Sequence, residues 1–448
     1  MKWNEFIAAR ADRVFLEEAG RPLMTGAFFD RMRAAADNLV WLGMSAPGIL
    51  TAFQASPALA MVEYLFSVIH AGGVALPLNP HFPESYKQDI ERRLGAGSLK
   101  ESASTGVDWD APATLVLTSG SSSFPKAVAH SLRGHLASAA AANTNIALAP
   151  GDRWLFSLPL YHVSGLGILF RCLEAGATVV MPPLEGELLH SIRALRITHC
   201  SLVAAQLQRC MEAEGGVAAL RNLKAVLLGG SAIPPALIDR AHAAGLPLHT
   251  SYGLTECASQ ICCTRPGANR EELSTSGYPL GADRVRINAA GVIEVGGPSL
   301  MLGYWQDGAL DRPFTEDGWF ATRDLGAWDA AGRLHVLGRA DNVFVCGGEN
   351  VQPEEVERAL LTLEGVLQAV VAPVPHPVYG ATVVAIVESE VPIGEVAAAW
   401  RTQLQALLPK HAVPRHFLPW PVNHAEHAAI KVSREKLRAY AEAVLHSQ

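Results

Sequence analysis

The stretch Thr114-Leu115-Val116-Leu117-Thr118-Ser119-Gly120-Ser121-Ser122-Ser123-Phe124-Pro125-Lys126 passes from a short apolar run into a loop of glycine and small hydroxyl residues. The same rhythm recurs downstream. Trp154 to Leu158 stops at Pro159, Thr178 to Met181 at Pro182-Pro183, and Ala225 to Leu228 at Gly229-Gly230, with longer helical patterns between them. Short β-rich runs that alternate with helices predict a parallel α/β sheet, whose ligands gather where the strands end at their carboxyl edge. Residues just after these runs are therefore the first candidates for chemistry. In the opening loop, backbone N–H groups and hydroxyls can donate to a polyphosphate, and Lys126 adds a mobile charge. A Walker A loop needs GxxxxGK followed by Ser or Thr, whereas Pro125 precedes Lys126 and Ala127 follows it. Taken alone, the loop reads equally well as a Ser-rich surface turn.

A chain of 448 residues with 49% hydrophobic content exceeds what one core holds, about 250 to 300 residues, so at least two domains are expected. The texture changes after Gly303 to turn-rich β sequence with Asp317-Gly318, Asp324 and Gly332, up to Gly338-Arg339. Residues 342–448 then alternate strands (Val366 to Ala372, Ala381 to Val387) with helices (Glu354 to Leu363, Val396 to Leu408), the pattern of a small α+β domain. The net charge of -7 argues against a nucleic-acid partner, which normally needs a clustered basic surface. Seven cysteines without a CxxC pair predict reduced thiols in a cytoplasmic protein. The start, MKWNEFIAARADRVF, mixes charge with apolar residues and does not read as a signal peptide. Glu63, His70 and Gly72-Gly73 interrupt the most apolar stretch, Ala58 to Leu78, which therefore reads as a buried helix and strand rather than a membrane span.

The loop at 118–126, Tyr252-Gly253-Leu254-Thr255-Glu256, Asp324, Gly338-Arg339-Ala340-Asp341, Gly347-Gly348-Glu349-Asn350 and Lys431 form an ordered set across nearly the whole chain. That set resembles the adenylate-forming superfamily of acyl-CoA ligases, adenylation domains and luciferases. The resemblance implies an α/β fold: a large N-terminal domain of stacked α/β sheets plus a distorted β-barrel, residues 1–340, and a small mobile α+β domain, residues 341–448. It implies ATP, Mg2+ and coenzyme A as co-substrates and cofactors. Thr118, Ser119, Gly120, Ser121, Ser122 and Lys126 would hold the β- and γ-phosphates, and Gly229, Gly230, Ser231, Tyr252 and Gly253 the adenine side. Asp324 and Arg339 would take the ribose, and a carboxylate suits a diol because its oxygens only accept. Thr255 would bond the α-phosphate and Glu256 would hold the magnesium ion, a hard cation that prefers oxygen ligands. Lys431 would reach the site only during adenylation, after which rotation about a hinge at Asp341 would present Gly347-Gly348 to the coenzyme A channel. Two departures from the family pattern are Ser123 and Ile430, where glycine is usual.

Within the superfamily the chain most resembles the o-succinylbenzoate-CoA ligases of menaquinone biosynthesis, through SLPLYHVSG at 157–165, AVLLGGSAIP at 225–234, GWFATRD at 318–324, GGENVQPEEVE at 347–357 and IKVSR at 430–434. The resemblance places His162, Ser164 and Ser259 at the acid, His162 either contacting it or packing structurally, and makes a homodimer common. Arg171 interrupts the apolar run Leu166 to Leu173. It either faces solvent, pairs with Glu174, or is buried and meets a second carboxylate of the substrate through a bidentate contact. Other readings of the chain are a ligase for another aryl or acyl acid, an adenylation enzyme that charges a carrier protein in trans, and a nucleotide-binding protein without catalysis.

Overall fold

The computed structural model describes residues 3–41, 48–56, 58–95, 107–118, 124–183, 188–230, 233–281, 284–306, 308–421 and 434–446. Two large sheets dominate. One has nine strands and is parallel through its middle, where Ala225–Leu228 lies between His199–Leu202 and Leu248–Leu254. All four residues of Ala225–Leu228 are buried, as a strand covered on both faces requires. The other sheet has six strands and mixes the parallel run Leu50–Gln54, Val74–Leu78 and Pro112–Leu117 with an antiparallel edge. Ala58 to Leu78 is a helix, Leu59–His70, followed by the strand Val74–Leu78, as its interruptions predict.

The glycine/serine loop departs from the simple strand–loop–helix expectation. Pro112–Leu117 pairs antiparallel with Ala127–Ser131, and beyond that pairing the Thr118 N–H donates to the Lys126 carbonyl at 2.9 Å. The helix begins only after that second strand, at Leu132, and Ser131 caps it by accepting the Gly134 N–H at 3.0 Å.

A four-stranded antiparallel sheet, Val285–Ile287, Val292–Val295, Phe320–Trp328 and Leu334–Arg339, stands where the β-barrel is expected. The chain then enters a unit with its own core, built on the sheet Val366–His376, Gly380–Ser389 and His416–Pro419 and the helices Pro353–Leu360, Ile393–Leu407 and Arg434–His446. The strands Val366–His376 and Gly380–Ser389 and the helices Pro353–Leu360 and Ile393–Leu407 fall on those read from the sequence, whereas the strand His416–Pro419 does not.

The seven cysteines are free and buried; burial pushes the Cys263 thiol up to about 12, which leaves it inert. Buried histidines give the fold a pH dependence. Desolvation holds His130 and His199 at about 4, against 6.5 for the free side chain. The folded chain therefore binds fewer protons than the unfolded chain between pH 6.5 and 4. Stability is full above pH 6.5 and falls below it, by about 1.4 kcal/mol per histidine per pH unit. The urea midpoint is expected to drop between pH 7 and pH 5; a constant midpoint would mean these imidazoles are not held neutral.

Candidate active site

Strands Phe320–Trp328 and Leu334–Arg339 pair with Asp324 opposite Arg339, so their side chains meet by register. The Arg339 Nη1 donates to Asp324 Oδ1 at 3.3 Å, while its Nε and Nη2 grip both oxygens of Asp341 at 2.8 and 2.9 Å. The hydrogen bonds from Arg339 hold Asp341 below the usual carboxylate range. Across the site the Tyr252 hydroxyl donates to Asp324 Oδ2 at 2.5 Å, and burial, with Asp324 second, pushes the phenol well up. Asp324, Arg339, Asp341 and Tyr252 thus form one hydrogen-bonded group.

Strand Leu248–Leu254 ends in a tight helical turn, Thr255–Cys257, before the chain reverses into Ser259–Cys263. Gly253 is needed here because a Cβ would lie 2.2 Å from the Ser259 carbonyl oxygen. Ala258 (φ 52) and Ser259 (φ 127) take left-handed conformations without being glycine, a strain of order 1–3 kcal/mol each that surrounding contacts must hold. Those contacts include the Met301 N–H on the Glu256 carbonyl at 2.8 Å and the Tyr304 hydroxyl on Glu256 Oε1 at 2.8 Å. The Lys126 ammonium lies 4.3 Å from the Tyr304 ring centre. Lys126, Tyr304 and Glu256 therefore bring the base of the hairpin loop to the Thr255 turn.

Gly229 and Gly230 end the neighbouring strand Ala225–Leu228, so they too sit at the carboxyl edge. In the following unit, Gly347 (φ 62) and Gly348 (φ 89) form the turn between Phe344–Cys346 and Glu349–Val351, a two-residue hairpin that demands positive φ at both positions. Ser119, Gly120, Ser121, Ser122, Ser231 and Lys431 lie outside the described residues, as do Ser123 and Ile430.

The Glu256 carboxylate at the Thr255 turn has a donor on one oxygen, and no cluster of three potential ligands occurs among the described residues. That donor set fits a magnesium ion, which takes one or two carboxylates and draws its remaining oxygens from phosphates and water.

Arg171 lies in the helix Val163–Ala175 and is buried, 4% exposed. This excludes the solvent-facing reading. The Glu174 pairing is not formed either: the Glu174 carboxylate accepts from Asn143 Nδ2 at 2.7 Å, while Arg171 Nε donates to Asn143 Oδ1 at 3.1 Å. Its Nη1 donates to Gln260 Oε1 at 2.8 Å, and its guanidinium carbon lies 4.3 Å from the Trp154 ring centre. Nη2 has no partner among the described residues. Desolvation lowers Arg171 to about 10, which leaves it charged at neutral pH. Arg171 lines a cleft with Ser259, Gln260 and His135. His162 and Ser164 stand at the other end of the same helix, about two turns away, and do not line this cleft.

Gln260, His135 and Tyr304 escaped the sequence reading. Gln260 is 89 residues from Arg171, and Tyr304 is 48 from Glu256. Packing of the helix Val163–Ala175 on the strand Ser259–Cys263, and of the strand Gly303–Gln306 beside the Thr255 turn, brings these side chains together, and no local pattern signals it.

The family model described as AMP-binding enzyme matches residues 85–305. The 2-succinylbenzoate–CoA ligase of Salmonella typhimurium is 37% identical over 399 residues, covering 84% of this chain and 83% of that protein. The ligase of the same name from Escherichia coli is 34% identical over 397 residues, with 84% and 83% covered. The fold is similar to that of a single-substitution variant of Escherichia coli MenE with bound OSB-AMS, at TM-score 0.82, 29% identity and 98% coverage of both chains. It is equally similar to o-succinylbenzoate CoA synthetase of Bacillus subtilis in complex with the acyl-adenylate intermediate OSB-AMP, at TM-score 0.83, 26% identity and 97% coverage of both. This chain belongs to the 2-succinylbenzoate–CoA ligase family of AMP-binding enzymes.

Proposed function

We propose that this protein is an AMP-forming acid-CoA ligase that adenylates o-succinylbenzoate with release of pyrophosphate, then forms the coenzyme A thioester with release of AMP, a step of menaquinone biosynthesis. It uses ATP, Mg2+ and coenzyme A. The observation that carries the choice of acid is Arg171, a buried cation that lines a cleft, whose Nη2 has no partner among the described residues and whose neighbours there are two amides and an indole rather than a carboxylate. A dicarboxylate supplies the missing anion with its second carboxyl group. Gln260 is held by Arg171 through its oxygen and lines the same cleft.

In the adenylation step two anions, a carboxylate and the α-phosphate, must approach, so charge neutralisation and positioning supply most of the rate. We assign the β- and γ-phosphates to Thr118, Ser119, Gly120, Ser121, Ser122 and Lys126, the α-phosphate to Thr255, and the magnesium to Glu256. Gly229, Gly230, Ser231, Tyr252 and Gly253 form the adenine side, Asp324 and Arg339 hold the ribose, and Ser164, Ser259, Arg171 and His162 serve the acid. Lys431 acts in the first half-reaction and Gly347-Gly348 in the second, with residues 1–340 and 341–448 moving as two bodies about Asp341. A cytoplasmic homodimer belongs to the same proposal; no helix among the described residues is long and apolar enough to cross a membrane.

Pyrophosphate release measured over a panel of acids, with and without coenzyme A, tests the reading. O-succinylbenzoate is expected to give pyrophosphate without coenzyme A and a thioester with it. Release with benzoate or a short fatty acid but not with o-succinylbenzoate would reassign the substrate.

A further inference from the structure

His130 lies in the strand Ala127–Ser131, wholly buried, with its Nε2 2.7 Å from the Thr255 carbonyl oxygen. A carbonyl only accepts, so Nε2 carries the hydrogen and donates it. Nδ1 has no partner among the described residues, and the ring stays neutral at working pH because burial lowers it to about 4. The same carbonyl oxygen also receives the Ala258 N–H at 3.2 Å. Thr255 opens the strained turn that continues through Ala258 and Ser259. One end of that turn carries Thr255 and Glu256; the other carries Ser259 and Gln260, which line the cleft with Arg171. His135, whose ring centre is 5.1 Å from that of His130, lines the same cleft.

We infer that His130 is a positioning residue for adenylation: its Nε2–H fixes the Thr255 carbonyl and so holds the phosphate-side and acid-side ends of one turn in a single arrangement. This rests on the assignment of Thr255 and Glu256 to ATP and magnesium made above. Strained backbone persists only where its surroundings over-determine it, and a buried donor on the first carbonyl of the turn is such a constraint. The second half-reaction keeps the α-phosphate assigned to Thr255 but no longer needs the magnesium assigned to Glu256 or the approach of two anions, so it depends less on the turn.

His130→Gln keeps an amide N–H near the place of Nε2, whereas His130→Leu removes the donor. The leucine variant is expected to lose about 10- to 100-fold in the kcat of pyrophosphate release, the range for leaving one buried carbonyl short of a hydrogen bond. Thioester formation from supplied o-succinylbenzoyl-adenylate and coenzyme A should stay within about threefold by the same reasoning, and the glutamine variant should recover most of the loss. His130→Asn, whose amide falls short of Thr255, gives the same comparison if the leucine variant does not fold. Equal activity in the glutamine and donor-free variants, or parallel loss of both half-reactions, overturns the inference. A Glu256→Ala control separates the two claims: if that variant releases pyrophosphate normally, the ATP assignment fails, whatever His130 does.

Discussion

Arg171→Met is expected to raise the KM for o-succinylbenzoate by roughly 30- to 5000-fold while leaving the KM for ATP within about threefold, since truncating one partner of a buried, hydrogen-bonded charge pair costs about 2 to 5 kcal/mol. Methionine keeps most of the stem volume in a helix whose residues Gly165 to Leu173 are all buried, so the change removes charge rather than packing. The same substitution should not lower the urea midpoint. Without substrate the guanidinium is desolvated, compensated by Asn143, Gln260 and the Trp154 face but by no carboxylate among the described residues, and replacing such a charge with an apolar group is often neutral or stabilising. Loss of affinity without loss of stability distinguishes a residue kept for recognition from one kept for the fold. Arg171→Lys should recover only part of the affinity, because an ammonium lacks the planar fork that binds a carboxylate through two bonds. Two outcomes sink the assignment: an unchanged KM for the acid, or a lowered midpoint with equal effects on acid and ATP.

How far this site could be read from sequence depends on whether the deciding contact is local. Ala225 to Leu228 announces itself, because a buried parallel strand is a short apolar run closed by glycines, and its bounds come out as read. Arg171 announces itself in part: a cation among apolar helix residues forces a choice between solvent and a partner. The choice was legible, whereas the partner, Gln260, was not, because it arrives through a sheet edge from the other side of the Thr255 turn. The hairpin strand Ala127–Ser131 was missed for a different reason. It is only five residues long and carries His130 and the helix-capping Ser131, so it reads as the approach to a helix. His130 was hidden with it. A histidine in a short strand has no periodic signal, and its meaning lies in a carbonyl 125 residues away.

Lys431→Ala is expected to lower pyrophosphate release by about 100- to 1000-fold, the range for removing one preorganised donor from a transition state that gathers negative charge. Thioester formation from supplied acyl-adenylate should remain within a few-fold. The asymmetry follows from placing two reactions in one site. The first needs a cation between carboxylate and phosphate; the second needs that space cleared for a thiol. Lys431 itself lies outside the described residues, but the chain on its carboxyl side is firmly tied. Arg434 donates to both oxygens of Glu357 at 2.6 Å, joining the helices Pro353–Leu360 and Arg434–His446. The small unit joins the rest of the chain beside Asp341, whose carboxylate is held by Arg339, itself bonded to Asp324. Rotation about Asp341 would have to release that grip, so Asp341→Ala should slow thioester formation less than Asp341→Pro, which also fixes the backbone φ. Equal loss of both half-reactions in Lys431→Ala would show that one pose serves both steps, and the rotation about Asp341 would then have no chemical purpose.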